Sequence, residues 1–349
     1  MDVLHPRCAG LDVHKDTVVA GVRLAGDGPA TTEVRTFDTT TPALLALSAW
    51  LAEQGCTHVA MEATGVYWKP IWHVLSDGEF TLILANAAHV KNVPGRKTDV
   101  ADALWLADLL AHGLIRPSFV PEAPTQELRA LLRTRKQLVR EQASHVQRIQ
   151  KTLEDANLKL GSVLTQIMGV SGRAILRALI EGERDPDALL ALVQRGVKAP
   201  SEKLRAALQG RVTERHRFLL RLHLRQVDAL DVAVAEVDAE VDRELDPFRQ
   251  AVRLLRTIPG VSDLTAQVIV SEIGTDMGRF PTAGHLISWA GLCPRADESA
   301  GKRRSTRLRK GAPLRPPCGR LLRSRIATGD AAKQTSPMRP GWPICSPMA

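Results

Sequence analysis

The sequence has few cysteines and no long apolar run. Its five cysteines (Cys8, Cys56, Cys293, Cys318, Cys345) are an odd number, are widely spaced and include no CxxC pair, and the histidines show no HExxH spacing. This argues against a disulfide scaffold and against a cysteine zinc site. No apolar run approaches the roughly 18 residues of a membrane-spanning helix, and MDVLHPRCAG has no signal-peptide core. We therefore expect a cytoplasmic protein in a reducing compartment, with no membrane partner.

Outside one segment the chain also lacks net charge. Residues 295–325 contain eleven Lys or Arg and two acids, a net of +9 that equals the net charge of all 349 residues. A dense basic segment favours contact with a polyanion such as nucleic acid, although a solvated basic tail would give the same count. The length and the 44% hydrophobic content are sufficient for two or three domains with buried cores.

The first 85 residues alternate in the manner of an α/β domain. CAGLDVH, TVVAGVRL and TTEVRTF have the β-branched composition of strands, and the polar turn at Lys15 and Asp16 predicts a hairpin between the first two. PALLALSAWLAEQG predicts a helix, HVAMEA a buried strand, VYWKPIWHVLSDG a second helix and TLILA another strand. Strands with intervening helices predict a mixed sheet that is covered on its faces.

Beyond the proline-rich boundary PSFVPEAP the pattern becomes helical. From residue 125 to about 160, and again over 230–245, apolar residues recur at coiled-coil-like spacing. These helices either pack together in one helical domain or pair between protomers, and residues 161–210 predict shorter helices between them. LLRTIPGVSDLTAQVIVSEIG, residues 254–274, predicts a helix-hairpin-helix around Gly260 or an ordinary αα-hairpin.

Four carboxylates occupy positions suited to an acidic site. Asp12 and Glu62 end two predicted strands, and Asp99 and Asp102 lie three apart at the start of the helix ADALWLADLLAHGL. Each alone is ordinary as a turn or cap residue, but two aspartates on one helix face repel each other. If strand ends and helix start converge, the cluster is costly unless divalent cations lie inside it. Carboxylate oxygens suit Mg²⁺ or Mn²⁺, so we predict two such ions at these four residues.

The order Asp, Glu, Asp-x-x-Asp resembles the DEDD transposases and site-specific invertases of the insertion sequence one-ten family, the Piv-type recombinases. The matching stretches are GLDVHKDTVVAGV, VAMEATGVYW and KTDVADA, followed downstream by IPGVSDLTA, EIG, RF, AGLCPRADESAGKRR and STRLRKG. They extend over roughly residues 8 to 315 in consistent order.

This resemblance implies a RuvC-type, RNase H-like nuclease domain whose four acids bind two Mg²⁺ ions. It implies that Ser299, in PRADESAGKRR, is the nucleophile that forms a phosphoserine link to DNA. Family members act as tetramers that combine one protomer's acids with another's serine, and they use a structured bridge RNA that pairs with target and donor DNA. We therefore expect DNA, a bridge RNA and a homo-oligomer, either dimer or tetramer.

Basic residues accompany both parts of this predicted site. Ser299 taken by itself lies in a polar loop, where a serine is ordinarily a simple loop residue, and the basic cluster after it is otherwise a solvated charged face. Next to a nucleophile, these cations would neutralise and position a phosphate backbone. The predicted nucleic-acid-binding residues are Arg96, Lys97, Gly260, Lys302, Arg303, Arg304, Arg307, Arg309 and Lys310.

We expect four segments in this chain. They are a RuvC-type catalytic domain (1–118), a helical coiled-coil or linker region (119–248), a mostly α C-terminal domain with the helix-hairpin-helix and the serine loop (249–325), and a disordered or aberrant tail (326–349). After KGAP, family members continue into apolar helices, whereas this chain turns into PLRPPCGRLLRSR and a proline-rich end that resembles a truncation or frame shift.

Two alternative functions follow from the sequence. The altered end favours a truncated, non-catalytic nucleic-acid-binding relative. A sugar-kinase or actin-like ATPase is disfavoured, because GLDVHKD lacks a glycine-bearing hairpin and no DxGT-type repeat follows. Tyr67 and Trp68, beside Glu62, either pack in the core or stack on a nucleic-acid base, and core packing is the commoner outcome for such aromatic residues.

Overall fold

Two units, Met1–Val120 and Pro121–Ala349, make up the chain. This computed structural model describes residues 3–26, 28–63, 65–85, 99–194 and 196–290 and two short strands at 297–299 and 302–305. At 99–101 and in those two strands it describes the backbone alone. The division into four segments stays a prediction, and the tail predicted at 326–349 lies outside the described residues.

The β-branched segments of the first unit form a five-stranded mixed sheet, which confirms the predicted strands and hairpin. The strands are β1 (Arg7–Val13), β2 (Thr17–Leu24), β3 (Thr31–Asp38), β4 (His58–Glu62) and β5 (Thr81–Ala85). Their order across the sheet is β3-β2-β1-β4-β5. β2 is antiparallel to β1 and β3, whereas β4 is parallel to β1 and to β5. Of these five strands, only β2 therefore runs against the others.

Helices cover both faces of this sheet. The helices are α1 (Thr41–Glu53), α2 (Trp68–Ser76) and α3 (Asp99–Ala111). Leu11 and Met61 lie in one buried cluster with residues of α1 and α2. Cys8 and Ala60 lie in another cluster with Leu106 of α3. Because side chains alternate along a strand, α3 covers the face opposite to α1 and α2.

Two long helices dominate the second unit. They are α4 (Ala123–Asp155) and α9 (Glu214–Glu244), with four short helices between them: α5 (Leu160–Val163), α6 (Val170–Glu181), α7 (Pro186–Ala191) and α8 (Ser201–Ala207). Arg135 is paired with Asp238, and Gln142 donates to Asp231 at 2.5 Å. The partner number falls as the first number rises, so α4 and α9 run antiparallel within one chain. Whether they also pair between protomers stays a prediction.

The C-terminal part of this unit packs on the first turns of α4. Its helices are α10 (Arg249–Arg256), α11 (Asp263–Ile273) and α12 (Ala283–Trp289), followed by the strands β6 (Asp297–Ser299) and β7 (Lys302–Ser305). Leu128 and Leu132 of α4 share a buried cluster with Val252 of α10 and Val270 of α11. Glu272, nearly buried, accepts two hydrogen bonds from the Arg133 guanidinium at 3.0 and 2.8 Å.

Within the described ranges, no helix is both long and apolar enough to cross a bilayer.

Candidate acidic site and serine hairpin

A close approach between α3 and the sheet is made possible by two glycines. Gly10 of β1 and Gly21 of β2 are paired across the sheet. A Cβ atom at Gly10 would lie 2.3 Å from the Ala103 carbonyl oxygen and 2.5 Å from the Ala107 amide nitrogen, and one at Gly21 would lie 3.0 Å from the Leu104 amide nitrogen. Glycine inside a strand marks such an approach of another backbone. The helix backbone therefore lies directly on the glycine pair.

The contacts of α3 also fix its direction. The Leu4 amide, just before β1, donates to the carbonyl of Ala111, the last residue of α3, at 2.8 Å. The Cys8 thiol donates to the Ala107 carbonyl at 3.4 Å. The end of α3 thus lies at the start of β1, and the beginning of α3, Asp99, lies toward the carboxyl end of that strand.

Asp12 and Glu62 lie side by side at that carboxyl end. Leu11 and Met61 are the last paired residues of the parallel strands β1 and β4, and both face the α1 and α2 side. The next residues, Asp12 and Glu62, therefore point to the α3 side, on strands about 4.8 Å apart. The structure thus brings these two predicted acids to one edge and one face of the sheet.

The start of α3 completes the arrangement. Asp12 lies two strand residues, or about 7 Å, beyond Gly10, and Asp99 lies four helix residues, or about 6 Å, before Ala103, which contacts Gly10. Asp102 is half-buried and lies one turn before the buried Leu106, which packs toward the sheet. Backbone geometry therefore places the first turn of α3 over the edge that carries Asp12.

The donor set is that of a hard-cation site. Asp12 is only 18% exposed, and its Oδ2 lies 3.1 Å from His14 Nε2. Carboxylates gathered at one edge suit Mg²⁺ or Mn²⁺. In the part of the chain that the structure describes, which leaves out the Asp99 side chain, no three His, Cys, Asp or Glu side chains are grouped closely enough to hold a metal. Asp12, Glu62 and Asp102 fit a divalent cation by the type of their oxygen ligands.

Two features of this site were missed by sequence reasoning. His14 contacts Asp12, and the signal was its position two residues further along, where side chains on an extended segment return to the same face. The glycine pair was missed as well, although a glycine inside each of two strand patterns, Gly10 and Gly21, was visible in the sequence.

Ser299 lies in a short hairpin rather than in the loop that the sequence predicted. It is the last residue of β6, and its backbone pairs with Lys302 of β7, while Glu298 pairs with Arg303. Three basic residues of the prediction, Lys302, Arg303 and Arg304, are consecutive in β7. The register sets the acidic Glu298 opposite the basic Arg303, and opposite charges across an antiparallel pair favour strand pairing. The candidate nucleophile is therefore on a paired backbone beside cations.

The segment predicted as a helix-hairpin-helix is a helix, a tight connection and a second helix. Gly260 has φ +85°, in the left-handed region that favours glycine. Ser262 caps α11, with its Oγ accepting from the Thr265 amide at 3.2 Å. This backbone is shared by helix-hairpin-helix motifs and ordinary αα-hairpins, so a phosphate contact at Gly260 stays a prediction.

Five nucleic-acid-binding candidates lie outside the described residues: Arg96, Lys97, Arg307, Arg309 and Lys310.

The mixed five-stranded sheet and the helices that cover it define an α/β domain, which is joined to a mostly helical remainder. The family model DEDD_Tnp_IS110, described as "Transposase", matches residues 9–158, and the model "Transposase IS116/IS110/IS902 family" matches residues 252–317. Together they span more than half of the chain. The chain belongs to the IS110 family of DEDD transposases.

Among seven similar chains of solved structures is one described as "Thermus thermophilus RuvC structure". Its identity is 14% and its TM-score 0.26, over 32% of this chain and 99% of that chain. A comparison with the curated proteins gives no match. Family membership supports a DNA transposase, a class in which DEDD folds generally use divalent metal ions.

Proposed function

We propose that this chain cuts and rejoins DNA strands at the ends of an insertion sequence, with an acidic metal site in the first unit and Ser299 as the nucleophile. The observation that carries the proposal is the packing of α3 on the glycine pair, which directs its first turn to the sheet edge that bears Asp12 and Glu62.

The acids would hold the metal and would position the scissile phosphate. Asp12, Glu62, Asp99 and Asp102 would hold two Mg²⁺ or Mn²⁺ ions, which supply charge neutralisation for the phosphodiester when they are bound. His14, 3.1 Å from Asp12, orients that carboxylate. Without a cation, the carboxylates would repel one another and would also repel the DNA phosphates. We therefore expect no DNA at this site in the absence of a divalent cation.

The serine would carry the covalent step. The Ser299 hydroxyl oxygen forms a bond to phosphorus as the bond from phosphorus to one deoxyribose oxygen breaks, so that one DNA end stays on the protein and the other leaves as a hydroxyl. The serine proton passes to the leaving oxygen through solvent. Attack of a hydroxyl from a second strand on the phosphoserine then restores both the serine and a phosphodiester. The pairing of Ser299 with Lys302 supports this role, because cations beside the nucleophile draw a phosphate to it.

We further propose a bridge RNA as guide and a homo-oligomer, dimer or tetramer, as the active form. Basic residues of β7 and of the segment after it offer phosphate contacts to RNA as well as to DNA. A composite site predicts that mixing a Ser299→Ala chain with an Asp12→Asn chain restores activity that neither has alone.

A denaturing gel tests this function. The full chain, its RNA and element-end DNA are incubated with Mg²⁺, and covalent protein–DNA adducts are counted. We expect adducts that disappear in Ser299→Ala and Asp12→Asn, whereas the matched controls Ser305→Ala, in the partner strand of the hairpin, and Asp77→Asn, at the exposed residue that follows α2, retain them. Adducts that survive in Ser299→Ala would refute the nucleophile, and their survival in Asp12→Asn would refute the acidic site.

The second candidate is a non-catalytic binder. It is favoured by one observation, the composition change after Ala312, close to where the second family match ends at residue 317. A native gel run beside the denaturing gel separates the two functions, because a binder retains DNA in the native gel but forms no adduct and no nick in the denaturing gel.

A further inference from the structure

Tyr67 is an exposed aromatic residue at the carboxyl end of the sheet. It is the one tyrosine of the sequence, lies five residues after Glu62 and is 41% exposed, next to Val66 at 64%. Its neighbour Trp68 packs against the core of the first unit, in edge-to-face contact with Trp72 at 5.8 Å. The expected core packing is therefore confirmed for Trp68 and wrong for Tyr67.

Local contacts hold the Tyr67 ring on the surface. The Val66 carbonyl accepts from the Lys69 amide at 3.2 Å, which forms a turn into α2. Gly65 has φ +55°, and a Cβ there would be 3.8 Å from two ring atoms of Tyr67. The ring thus lies beside a residue with no side chain, on a turn that is followed by the partly buried Trp68. Lys69, also exposed, lies two residues further along.

The acidic site is within reach of this ring. Five residues span at most about 17 Å, so the Cα atoms of Glu62 and Tyr67 are no further apart than that. Successive nucleotides of one duplex strand are about 3.4 Å apart along the axis, so a strand that leaves the acids across the sheet edge meets Tyr67 within about five nucleotides. A more extended single strand reaches it in fewer.

We propose that Tyr67 stacks on a base of the DNA strand held at the acidic site, with Lys69 contacting a neighbouring phosphate. Exposed aromatic residues beside cations form sequence-tolerant stacking platforms, because every base has an aromatic face. Tyr67 is a positioning residue in this role: it fixes the strand so that the scissile phosphate stays on the acids. The inference rests on the proposed function, since the acids decide which nucleic acid is bound.

Photocrosslinking tests the contact directly. The full chain is bound to a single-stranded oligodeoxynucleotide of mixed sequence that contains 5-iododeoxyuridine, with Ca²⁺ in place of Mg²⁺ so that binding is measured without cutting. We expect the crosslinked peptide to contain residue 67 in the wild type and in Tyr67→Phe. Tyr67→Leu should lose that crosslink and bind about 5- to 150-fold more weakly. Phe218→Leu, at a 60% exposed aromatic residue of the second unit, is the matched control and should bind normally.

Two outcomes would overturn the proposal. One is a Tyr67→Leu chain that binds within about twofold of the wild type; the other is a crosslink confined to peptides without residue 67. The failure of this proposal can be distinguished from the failure of the recombinase proposal. A chain that crosslinks at residue 67 but never cuts DNA in Mg²⁺ keeps the stacking and loses the recombinase. A chain that forms Ser299 adducts without this crosslink does the reverse.

Discussion

Replacing Gly10 with alanine should loosen α3 and with it the acidic site. The new Cβ would lie 2.3 Å from the Ala103 carbonyl oxygen, 2.5 Å from the Ala107 amide nitrogen and 2.8 Å from Leu106 Cβ, where ordinary contacts begin at 3.4 Å. The clash is with backbone, which cannot rotate away, so α3 must move by about 1 Å. Overpacking of this kind costs about 1 to 3 kcal/mol, and we expect the upper end.

The same displacement should also reduce activity. The first turn of α3 carries Asp99 and Asp102, so a 1 Å shift of the helix changes their distance from Asp12. Misplacement by about 1 Å can cost about 10²-fold in rate. Urea unfolding, followed by tryptophan fluorescence, measures the first effect, and the adduct gel measures the second.

Two further glycine variants, with a smaller clash and with no clash, serve as controls. Gly21→Ala meets its nearest atom at 3.0 Å and should be milder, and Gly26→Ala, with nothing within 4 Å, should be silent. If Gly10→Ala unfolds within about 0.5 kcal/mol of Gly26→Ala and forms as many adducts, α3 does not lie on the glycine pair and the convergence of the acids is wrong.

Three further predictions concern buried and titrating groups. Glu272→Ala should lower the free energy of unfolding of the second unit by about 1.5 to 3 kcal/mol, because it removes the buried carboxylate that accepts charge-assisted hydrogen bonds from Arg133 and pairs with Arg129; an unchanged urea midpoint would contradict this. The His216 hydrogen bond holds the pKa of Asp155 below its ordinary value of 3.8, so the stabilisation by this carboxylate is present above that value and is lost as pH falls through the lower, folded-state pKa. The unfolding free energy of Asp155→Asn should thus fall less steeply than the wild type's from about pH 5 to pH 2, and parallel curves would contradict this. Burial raises the pKa of Cys8 to about 11 and that of Cys56 to about 12, so at about pH 8 iodoacetamide should label their peptides only after unfolding, by mass spectrometry; rapid labelling of the native chain would show that they are accessible.

The sheet was predictable because its pattern is local. The β-branched segments at 7–13 and 17–24, and the polar turn at Lys15 and Asp16 between them, specify a hairpin before any distant contact forms. The helix at Trp68–Ser76 follows in the same way from its apolar spacing. Neither signal fixes the strand order, which depends on contacts between residues far apart along the chain.

The acidic site was predictable in part. The sequence pattern predicted that Asp12 and Glu62 end two strands and that the aspartate pair begins a helix. Their approach depends on how α3 crosses the sheet, and this is decided by Gly10 and Gly21, residues with no side chain to draw attention. Periodicity likewise identified α9 but placed its start at residue 230, because the apolar residues before it, from Leu220, face a different cluster.

The exposure of Tyr67 and the strand pairing of Ser299 could not be derived from composition. The residue type does not show whether a tyrosine after a strand is buried or exposed, and here the neighbouring Trp68 is the aromatic residue that packs against the core. Ser299 lies in a polar stretch whose pairing needs a second polar stretch, Lys302–Ser305, with no apolar pattern in either.

The opposite directions of α4 and α9 have a consequence for how this chain tolerates change in length. A helix of 31 residues, such as α9, spans about 46 Å, and the chain travels out along α4 and returns along α9 to the level at which it left. The small helices at the turning point can therefore gain or lose residues without altering where α10 and α11 emerge. Insertions and deletions among related chains should therefore accumulate in the short helices between α4 and α9. An engineered short loop that replaces these helices should leave the packing of α10 and α11 on the first turns of α4 unchanged.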